Sequence, residues 1–415
     1  MSRWHTAGKA LRVLKWRYLN STMSAARNVL MVTREQSEDR RYGLGRSLMP
    51  VVQALQSRAW RVRYLCQEDM SDAAKADRAQ WLKRLGRLPG LAGMQNRSSV
   101  LAALAERLHM GWFAAQTARS EGFTTVHLHD PWLASGFRLG MSALGLKGVR
   151  WGITEHGFGC YSRATHEDGL LQGPRVQRWL RRMEAATLAA AHWVTAPTEL
   201  SLSQLARDLA LPFNPPHWKV IPHAAFQEEL PTRESARLAL GWGAGDIYLL
   251  GVGRFAPLKR FDLLVDAWAV LAARYPNLHL QLLGGTTFES LQRAANAAGV
   301  ANRIHFSVVQ DVKPYLAAAD IYVSTSSTES FGLANFEALL AGLPCICTAV
   351  GGVPEVMGQG AWLIPVEQAA LESALETLIG QPMQRKDWSA RATLQARQAP
   401  DLETVSNQYA EIFKD

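Results

Sequence analysis

Ser324-Thr-Ser-Ser-Thr-Glu329-Ser-Phe331-Gly332-Leu333-Ala-Asn-Phe-Glu337-Ala-Leu-Leu-Ala-Gly342-Leu-Pro344 decides how the chain is read. Asp320-Ile-Tyr-Val, just before it, has the composition of a short buried strand. Ser, Thr and Gly then mark a loop, and residues 333–341 read as a helix. Gly342 sits where a helix stop belongs, and Pro344 prevents its resumption. Cys345-Ile-Cys-Thr is the next strand, which makes the stretch one βαβ unit. Its loop holds one carboxylate, Glu329, and its helix a second, Glu337. The Gly332 turn and the helix start between them expose backbone N–H groups, a ready anion site. Carboxylates flanking an anion site suit a ligand that carries hydroxyls beside phosphates, such as a nucleotide sugar. The plainer alternative is a surface loop with a Glu placed early in a helix for dipole reasons.

At 415 residues the chain is expected to form two domains. Its 48% hydrophobic content supports two ordinary cores. No uninterrupted apolar run is long enough for a spanning helix. The four cysteines, Cys66, Cys160, Cys345 and Cys347, suggest neither a disulfide framework nor a zinc site, so no metal is expected. A reducing, cytoplasmic compartment fits. Residues 1–225 carry 31 Lys+Arg against 16 Asp+Glu, and residues 226–415 carry 14 against 20. A basic half joined to an acidic half implies different partners. The basic half suits an anionic membrane surface at its inner face or a phosphorylated acceptor. No nucleic-acid-binding motif occurs, and nucleic acid is not expected as a partner.

Residues 1–27 form a basic extension in which Leu11, Leu14 and Tyr18 share a helical stripe beside Lys9, Arg12 and Lys15. It reads either as an interfacial helix or as a weakly docked extension, and poorly as a signal peptide. Asn28-Val-Leu-Met-Val-Thr33 is a continuous apolar run, as for a parallel strand buried on both faces. Tyr42-Gly43-Leu44-Gly45-Arg46 reads as a glycine loop leading into a helix over 47–56. Residues 67–120 read as two or three helices. Thr124-Thr-Val-His-Leu-His129-Asp130-Pro131 and Trp151-Gly-Ile-Thr-Glu155-His156-Gly157 are short strands ending in polar residues. Side chains at such strand ends point into the ligand crevice of an open parallel sheet. His129, and with it Asp130 and His156 as acceptor contacts, are therefore candidates.

A Pro-bearing stretch at 211–231 separates the halves, and the pattern then restarts. Asp246-Ile-Tyr-Leu-Leu-Gly251 is a strand, Val-Gly253-Arg254-Phe-Ala-Pro-Leu-Lys259-Arg260 a loop, and 261–274 a helix. The expected organisation is an extension at 1–27, an acceptor domain at 28–225, a nucleotide-sugar domain at 226–400, and a last helix at 401–415 packing back on the first domain. The fold class is α/β, with two Rossmann-like parallel-sheet domains facing across a cleft.

These residues resemble a known family. Glu329-Ser-Phe-Gly-Leu-Ala-Asn-Phe-Glu337 is similar to the E-x7-E motif of retaining GT-B glycosyltransferases of family 4, the glycosyl transferases group 1 type. Gly253-Arg254-Phe-Ala-Pro-Leu-Lys259 resembles that family's G-R-x4-K loop, and His129-Asp-Pro its His-Glu-Pro strand end. Ala341-Gly-Leu-Pro344 and Gly351-Gly-Val-Pro-Glu355 also stand at the family's spacing. The resemblance implies that Arg254 and Lys259 clasp the donor diphosphate, in place of a metal. It implies that Glu337 takes the ribose hydroxyls and that Glu329 holds the transferred sugar beside the N–H groups of Phe331, Gly332 and Leu333. Gly43 and Gly45 would admit the first domain's loop to the donor, and His129 would hold a sugar hydroxyl and orient the acceptor. Backbone around Val309 would meet the base, with a UDP-sugar expected ahead of a GDP- or ADP-sugar. No separate cofactor is implied.

The activity implied is metal-independent, front-face transfer of a hexose from a nucleotide-diphosphate sugar to a cell-surface glycan or lipid-linked acceptor, in lipopolysaccharide or exopolysaccharide biosynthesis. The alternatives are a nucleotide-sugar epimerase on the same fold and a non-catalytic nucleotide-sugar-binding subunit. The chain departs from the family's pattern at Trp60, His223, Val308, Thr325 and Ser330.

Overall fold

A computed structural model describes residues 27–36, 43–85, 100–170, 173–212, 215–225, 229–284 and 289–414. The basic extension therefore lies, apart from Arg27, outside the described residues. Six strands, β1 (Asn28–Val32), β2 (Arg61–Leu65), β3 (Thr125–Leu128), β4 (Arg150–Thr154), β5 (Trp193–Ala196) and β6 (Trp218–Val220), form one sheet in the order β2-β1-β3-β4-β5-β6. A second sheet runs β12-β11-β10-β7-β8-β9, from β7 (Ile247–Val252), β8 (Leu278–Leu283), β9 (Ile304–Ser307), β10 (Ile321–Ser324), β11 (Cys345–Thr348) and β12 (Ala361–Ile364). Within both sheets the strand pairs are parallel. The chain is thus α/β, with two Rossmann-like domains.

The apolar runs are continuous because each strand is covered on both faces. Leu30 and Val32 enter a cluster with Leu128 and Ile153, while Val29 and Met31 enter the one on the opposite face. In the second sheet Leu249, Ile321 and Val323 pack on one side, and Leu250 and Tyr322 on the other. Strand order reverses between β1 and β3 in the first sheet and between β7 and β10 in the second. Crossovers leave in opposite directions there, which opens a crevice at the strands' C-terminal ends. Both expected ligand loops begin at those ends.

Three local features differ from the sequence reading. The helix after β1 spans Gly43–Ser57, so Gly43 and Gly45 lie in its first turn and not in a loop. First-turn N–H groups have no intrahelical partner, which makes glycine tolerable there. The helix Pro131–Leu144 is masked in the sequence by Gly136 and Gly140. A Cβ on Gly136 would sit 2.1 Å from the Leu108 carbonyl oxygen, and one on Gly111 would sit 2.0 Å from that of Leu133. These glycines let Pro131–Leu144 and the helix Val100–Glu121 cross in backbone contact. Strand β12 completes the second sheet and is absent from the sequence reading.

The last helix, Leu402–Lys414, packs on the first domain. Its Val405, Tyr409, Ile412 and Phe413 join Val29, Met31, Trp60 and Trp193 in one buried cluster. Trp60, a departure from the family's pattern, meets the Phe413 ring edge-on at 6.0 Å. Where the chain returns, the Ala225 N–H donates to the Pro400 carbonyl at 2.8 Å. Phe413 is 2% exposed. Phe413→Ala is expected to destabilise the first domain by about 3–5 kcal/mol, read as a lowered midpoint in urea. An unchanged midpoint would show that the helix is only loosely attached.

Candidate active site

The two ligand loops of the second domain are neighbours because β7 pairs with β10, Leu249 opposite Ile321 and Leu250 opposite Tyr322. Thr325 Oγ1 lies 2.9 Å from the carbonyl oxygens of both Lys259 and Arg260, and the Ser327 N–H donates to the Leu258 carbonyl at 2.7 Å. Thr325, another departure from the pattern, thereby ties the loops together. Lys259 Nζ donates to Glu329 Oε2 at 2.5 Å, with both side chains about one-fifth exposed. Gly332 adopts φ +80° and opens the helix Leu333–Leu340, in whose second turn Glu337 stands. A Cβ at Gly332 would press on Asn335 at 2.8 Å and on Glu329 at 3.2 Å. Phe331 is buried and Leu333 half-buried, and Val309, after β9, packs as a half-buried side chain on the same cluster. Gly253 follows β7 and is bonded to β8, its N–H donating to the Leu283 carbonyl at 2.8 Å.

Gly351 and Gly352 permit another close approach. A Cβ on Gly351 would stand 1.9 Å from the Glu329 carbonyl oxygen, and one on Gly352 would stand 1.9 Å from that of Ser330. Glu355, from the same segment, reaches the first domain. It accepts from the N–H groups of Glu199 at 2.9 Å and Leu200 at 3.1 Å, where its charge complements the N-terminus of the helix Glu199–Leu209. Ser330 Oγ lies 3.0 Å from Ser201 Oγ, and its carbonyl accepts from Thr198 Oγ1 at 3.2 Å. The two domains therefore meet directly around the Glu329 loop.

Two more contacts cross the cleft, and sequence reading missed both partners. Arg46 Nη1, in the first turns of the helix Gly43–Ser57, pairs with Glu337 Oε1 at 3.3 Å. Asp168 Oδ1 accepts from Arg254 Nη2 at 3.0 Å, with Arg254 69% exposed. Arg46 stood beside the glycines already singled out. Asp168 carried no local signal.

The first domain contributes a row of imidazoles. His127, in β3, and His129, just after its end, bring their rings together edge-on at 4.6 Å. His127 Nδ1 accepts from the Trp193 indole at 2.9 Å, so its Nε2 holds the proton and donates to Thr154 Oγ1 at 2.7 Å. His129 Nδ1 lies 3.0 Å from His156 Nε2, and His129 Nε2 is buried with no hydrogen-bond partner among the described residues. The His156 ring stacks on His223 at 6.0 Å, and His223 meets Phe331 of the second domain edge-on at 4.7 Å. His223 comes from the interdomain connection and, apart from being a departure from the family's pattern, gave no signal. Burial pushes His127 down to about 3 and His223 to about 4, and holds His129 and His156 well below the ordinary range. All four rings are neutral near pH 7 and act as hydrogen-bonding groups, not cations.

Asp130 is corrected. It caps the helix Pro131–Leu144, its Oδ1 accepting from the N–H groups of Trp132 at 2.7 Å and Leu133 at 3.2 Å. Its Oδ2 takes Arg107 Nε at 3.1 Å, and the side chain is 0% exposed. Both oxygens are committed to the fold, which leaves none for an acceptor. Two further carboxylates are buried nearby. Glu155 accepts from the Gly157 N–H at 2.9 Å, and burial followed by repulsion from Glu184 and Asp130 raises it well above the ordinary range. Glu184 accepts from the Trp132 indole at 2.8 Å and the Ser162 N–H at 2.9 Å.

The residues facing this cleft fall within two family models that together span most of the chain. The glycosyl transferases group 1 model matches residues 232–395, and a glycosyl transferase 4-like domain matches residues 42–223. The chain belongs to the glycosyl transferases group 1 family. A D-inositol 3-phosphate glycosyltransferase from Arthrobacter sp. (strain FB24) is 34% identical over 176 residues, which covers 40% of this chain and 42% of that protein. The alignment thus spans about two-fifths of that relative. Among solved structures, the sucrose-phosphate synthase from Thermosynechococcus elongatus matches with a TM-score of 0.71 at 18% identity, over 94% of this chain and 98% of that one. Anabaena HepE in complex with UDP-glucose matches with a TM-score of 0.69 at 18% identity, over 92% and 98%. At that identity the likeness establishes the fold, which is GT-B.

Two outcomes follow from these contacts. Asp168→Asn frees Arg254 from its ion pair, so if Arg254 meets a donor diphosphate, nucleoside diphosphate binding is expected to tighten by up to about fivefold, the range of an exposed ion pair; calorimetric titration checks it. Burial raises Glu184 from 4.5 to about 7. A carboxyl raised in the folded state contributes stability that is complete below pH 4.5 and is lost as pH rises through 7. Glu184→Gln keeps the acceptor for Trp132 and should abolish that loss, worth about 3 kcal/mol at pH 8. Denaturation of both proteins at pH 5 and pH 8 reads it directly.

Proposed function

We propose that the chain is a retaining, metal-independent glycosyltransferase that moves a hexose from a UDP-sugar to a glycan or lipid-linked acceptor of the cell surface. The observation that carries this reading is the joined pair of loops at the β7/β10 switch point. They place a cation, Lys259, against Glu329, and Gly332 opens a helix carrying Glu337. Lys259 and Arg254 supply positive charge where the leaving diphosphate accumulates negative charge. In this reading Glu329 turns from Lys259 to the sugar hydroxyls, and Glu337 exchanges Arg46 for the ribose. The N–H groups that open the helix Leu333–Leu340 receive phosphate oxygens. His129, neutral and with Nε2 unpaired, holds a hydroxyl of the transferred sugar, and His156 orients the acceptor beside it.

For the chemical step the acceptor hydroxyl approaches the anomeric carbon from the side of the departing diphosphate. The C1–O bond to phosphate breaks, the acceptor oxygen forms the new bond, and the leaving phosphate oxygen takes the acceptor's proton. Configuration is retained without a protein nucleophile. A double displacement would need a carboxylate on the opposite face of the sugar. Of the nearby buried carboxylates, Asp130 is committed to Arg107 and its helix start, and burial holds Glu155 and Glu184 toward the protonated form. The HepE complex holds UDP-glucose, which supports UDP as the nucleotide here. The basic first half supports a phosphorylated or lipid-linked acceptor and a place at the cytoplasmic membrane face.

Glu337→Ala is expected to weaken UDP-sugar binding about 10–100-fold, the worth of hydrogen bonds to a charged group. Glu329→Gln and His129→Ala should lower turnover by a similar factor without weakening UDP binding, and Glu329→Gln, which frees Lys259, should tighten it by a few-fold. Titration of UDP and UDP-hexoses with single-turnover product analysis separates the effects. If donor alone were converted to its epimer, or if none of the nucleotides bound, the transferase reading would fail.

A further inference from the structure

The helix Pro174–Leu188 carries a surface that the cleft chemistry leaves unused. Its buried side is ordinary: Leu180, Glu184, Thr187 and Leu188 are buried, and Val176 and Met183 pack against the cluster of Val100, Leu104, Trp132 and Tyr161. Its outer side carries Arg175, Arg178, Trp179 and Arg182, all exposed, with Trp179 51% open to solvent. At 3.6 residues per turn these four project from one stripe about 100° wide. The three arginines have no counter-ion among the described residues. The helix's one acid, Glu184, points inward. The stripe is therefore an uncompensated cationic strip with an aromatic ring at its edge.

Its position matters as much as its charge. The helix begins six residues after Asp168, which reaches across the cleft to Arg254. Its last turn is bonded by Arg138, whose Nη1 donates to the Ala186 carbonyl at 2.9 Å, and the next residue, Leu139, is 58% exposed. The cationic stripe thus starts at the cleft side, with Arg175 seven residues after Asp168, and runs away from the cleft toward Leu139. No described helix is long and apolar enough to cross a membrane. A surface contact is the form of membrane association that these residues fit.

We propose that the outer face of Pro174–Leu188 is a docking surface for an anionic lipid bilayer, with Arg175, Arg178 and Arg182 on the headgroups and Trp179 in the interface. The inference rests on the reading of a lipid-linked acceptor, because it brings the cleft mouth to the plane in which such an acceptor lies. Arginine pairs with lipid phosphate through a planar fork of donors, and tryptophan favours the headgroup level, where one end is apolar and the other wet. Each basic residue near an anionic surface is worth about fivefold in partitioning. Three give about a hundredfold, which suits reversible docking of an enzyme that must exchange its acceptor.

The test is co-sedimentation of the full chain with vesicles of phosphatidylcholine alone and of phosphatidylcholine with phosphatidylglycerol. Binding is expected on the anionic vesicles only and is expected to weaken with added salt. The triple substitution Arg175→Gln, Arg178→Gln, Arg182→Gln should reduce partitioning by about a hundredfold, and Trp179→Ala by a smaller factor. The thermal shift induced by UDP should be unchanged in both variants. Equal partitioning of the triple variant and the parent would overturn the proposal, as would binding that ignores phosphatidylglycerol. Loss confined to binding of an RNA, or to self-association in sedimentation, would also overturn it, because either assigns the stripe to another partner. Failure of UDP to shift the parent protein concerns the donor site alone and leaves vesicle binding as an independent result.

Discussion

The parallel pairing of β7 with β10 is the constraint on which the cleft depends. These strands are not neighbours in sequence, and they lie side by side only because the crossovers from them leave in opposite directions. That arrangement puts the loop after β7 against the loop after β10, and backbone-directed hydrogen bonds from Thr325 and Ser327 fix their separation. The Lys259–Glu329 contact is then a consequence. A lysine and a glutamate free in solution lose conformational freedom on pairing and gain little. Here both backbones are already immobile, so less freedom is lost when the pair forms. The topology supplies the geometry, and the charges occupy it.

The first domain answers with neutrality. Four imidazoles in a row would repel one another if charged, and burial removes the charge. The Trp193 indole, a donor only, sets the tautomer of His127, and His127 passes its proton's hydrogen bond to Thr154. The rings of Tyr409 and Phe413 close over His127 at 5.6 and 5.4 Å. These come from the last helix of the chain, so the terminal segment that crosses back from the second domain packs directly behind the histidines. Folding and site geometry are coupled at this point: loosening the helix would hydrate His127 and free the His129 ring edge-on to it at 4.6 Å.

Much of this was legible in the sequence, for physical reasons. Strands buried on both faces must be apolar throughout, so β1, β7 and β10 stood out, and glycines marked the turns of the second domain. What stayed hidden depended on chain segments far apart. Arg46 and Glu337, Asp168 and Arg254, and Glu355 with the start of Glu199–Leu209 are pairs whose members carry no local trace of each other. The helix Pro131–Leu144 was lost because its glycines serve a helix crossing and locally resemble breaks. Asp130 could have been assigned correctly. An aspartate followed directly by proline is a helix-start signal, since the carboxylate takes free N–H groups and proline lacks one. Its place beside His129 drew the functional reading instead.

The charges of the cleft have a common feature. Arg254 pairs with Asp168, Lys259 with Glu329, and Arg46 with Glu337, so each ionised group assigned to the donor has an internal partner. Lys259, Glu329, Arg46 and Glu337 are largely buried, and left unpaired they would be costly, a cost their partners avoid; Arg254 is exposed, and its pair with Asp168 is worth little. If these groups hold a donor as proposed, its binding would be an exchange of ion pairs, and its affinity would reflect a difference between two sets of contacts, not their sum. Two of the three pairs join the domains. An incoming diphosphate that takes Arg254, and a ribose that takes Glu337, would each release one link between the domains. The contacts of Ser330 with Ser201 and of Glu355 with the helix Glu199–Leu209 involve no donor ligand and would persist. The domains would therefore stay joined on the Glu355 side while the cleft edge lined by Arg46 and Asp168 is freed, which makes any donor-dependent movement a rotation about that persistent contact.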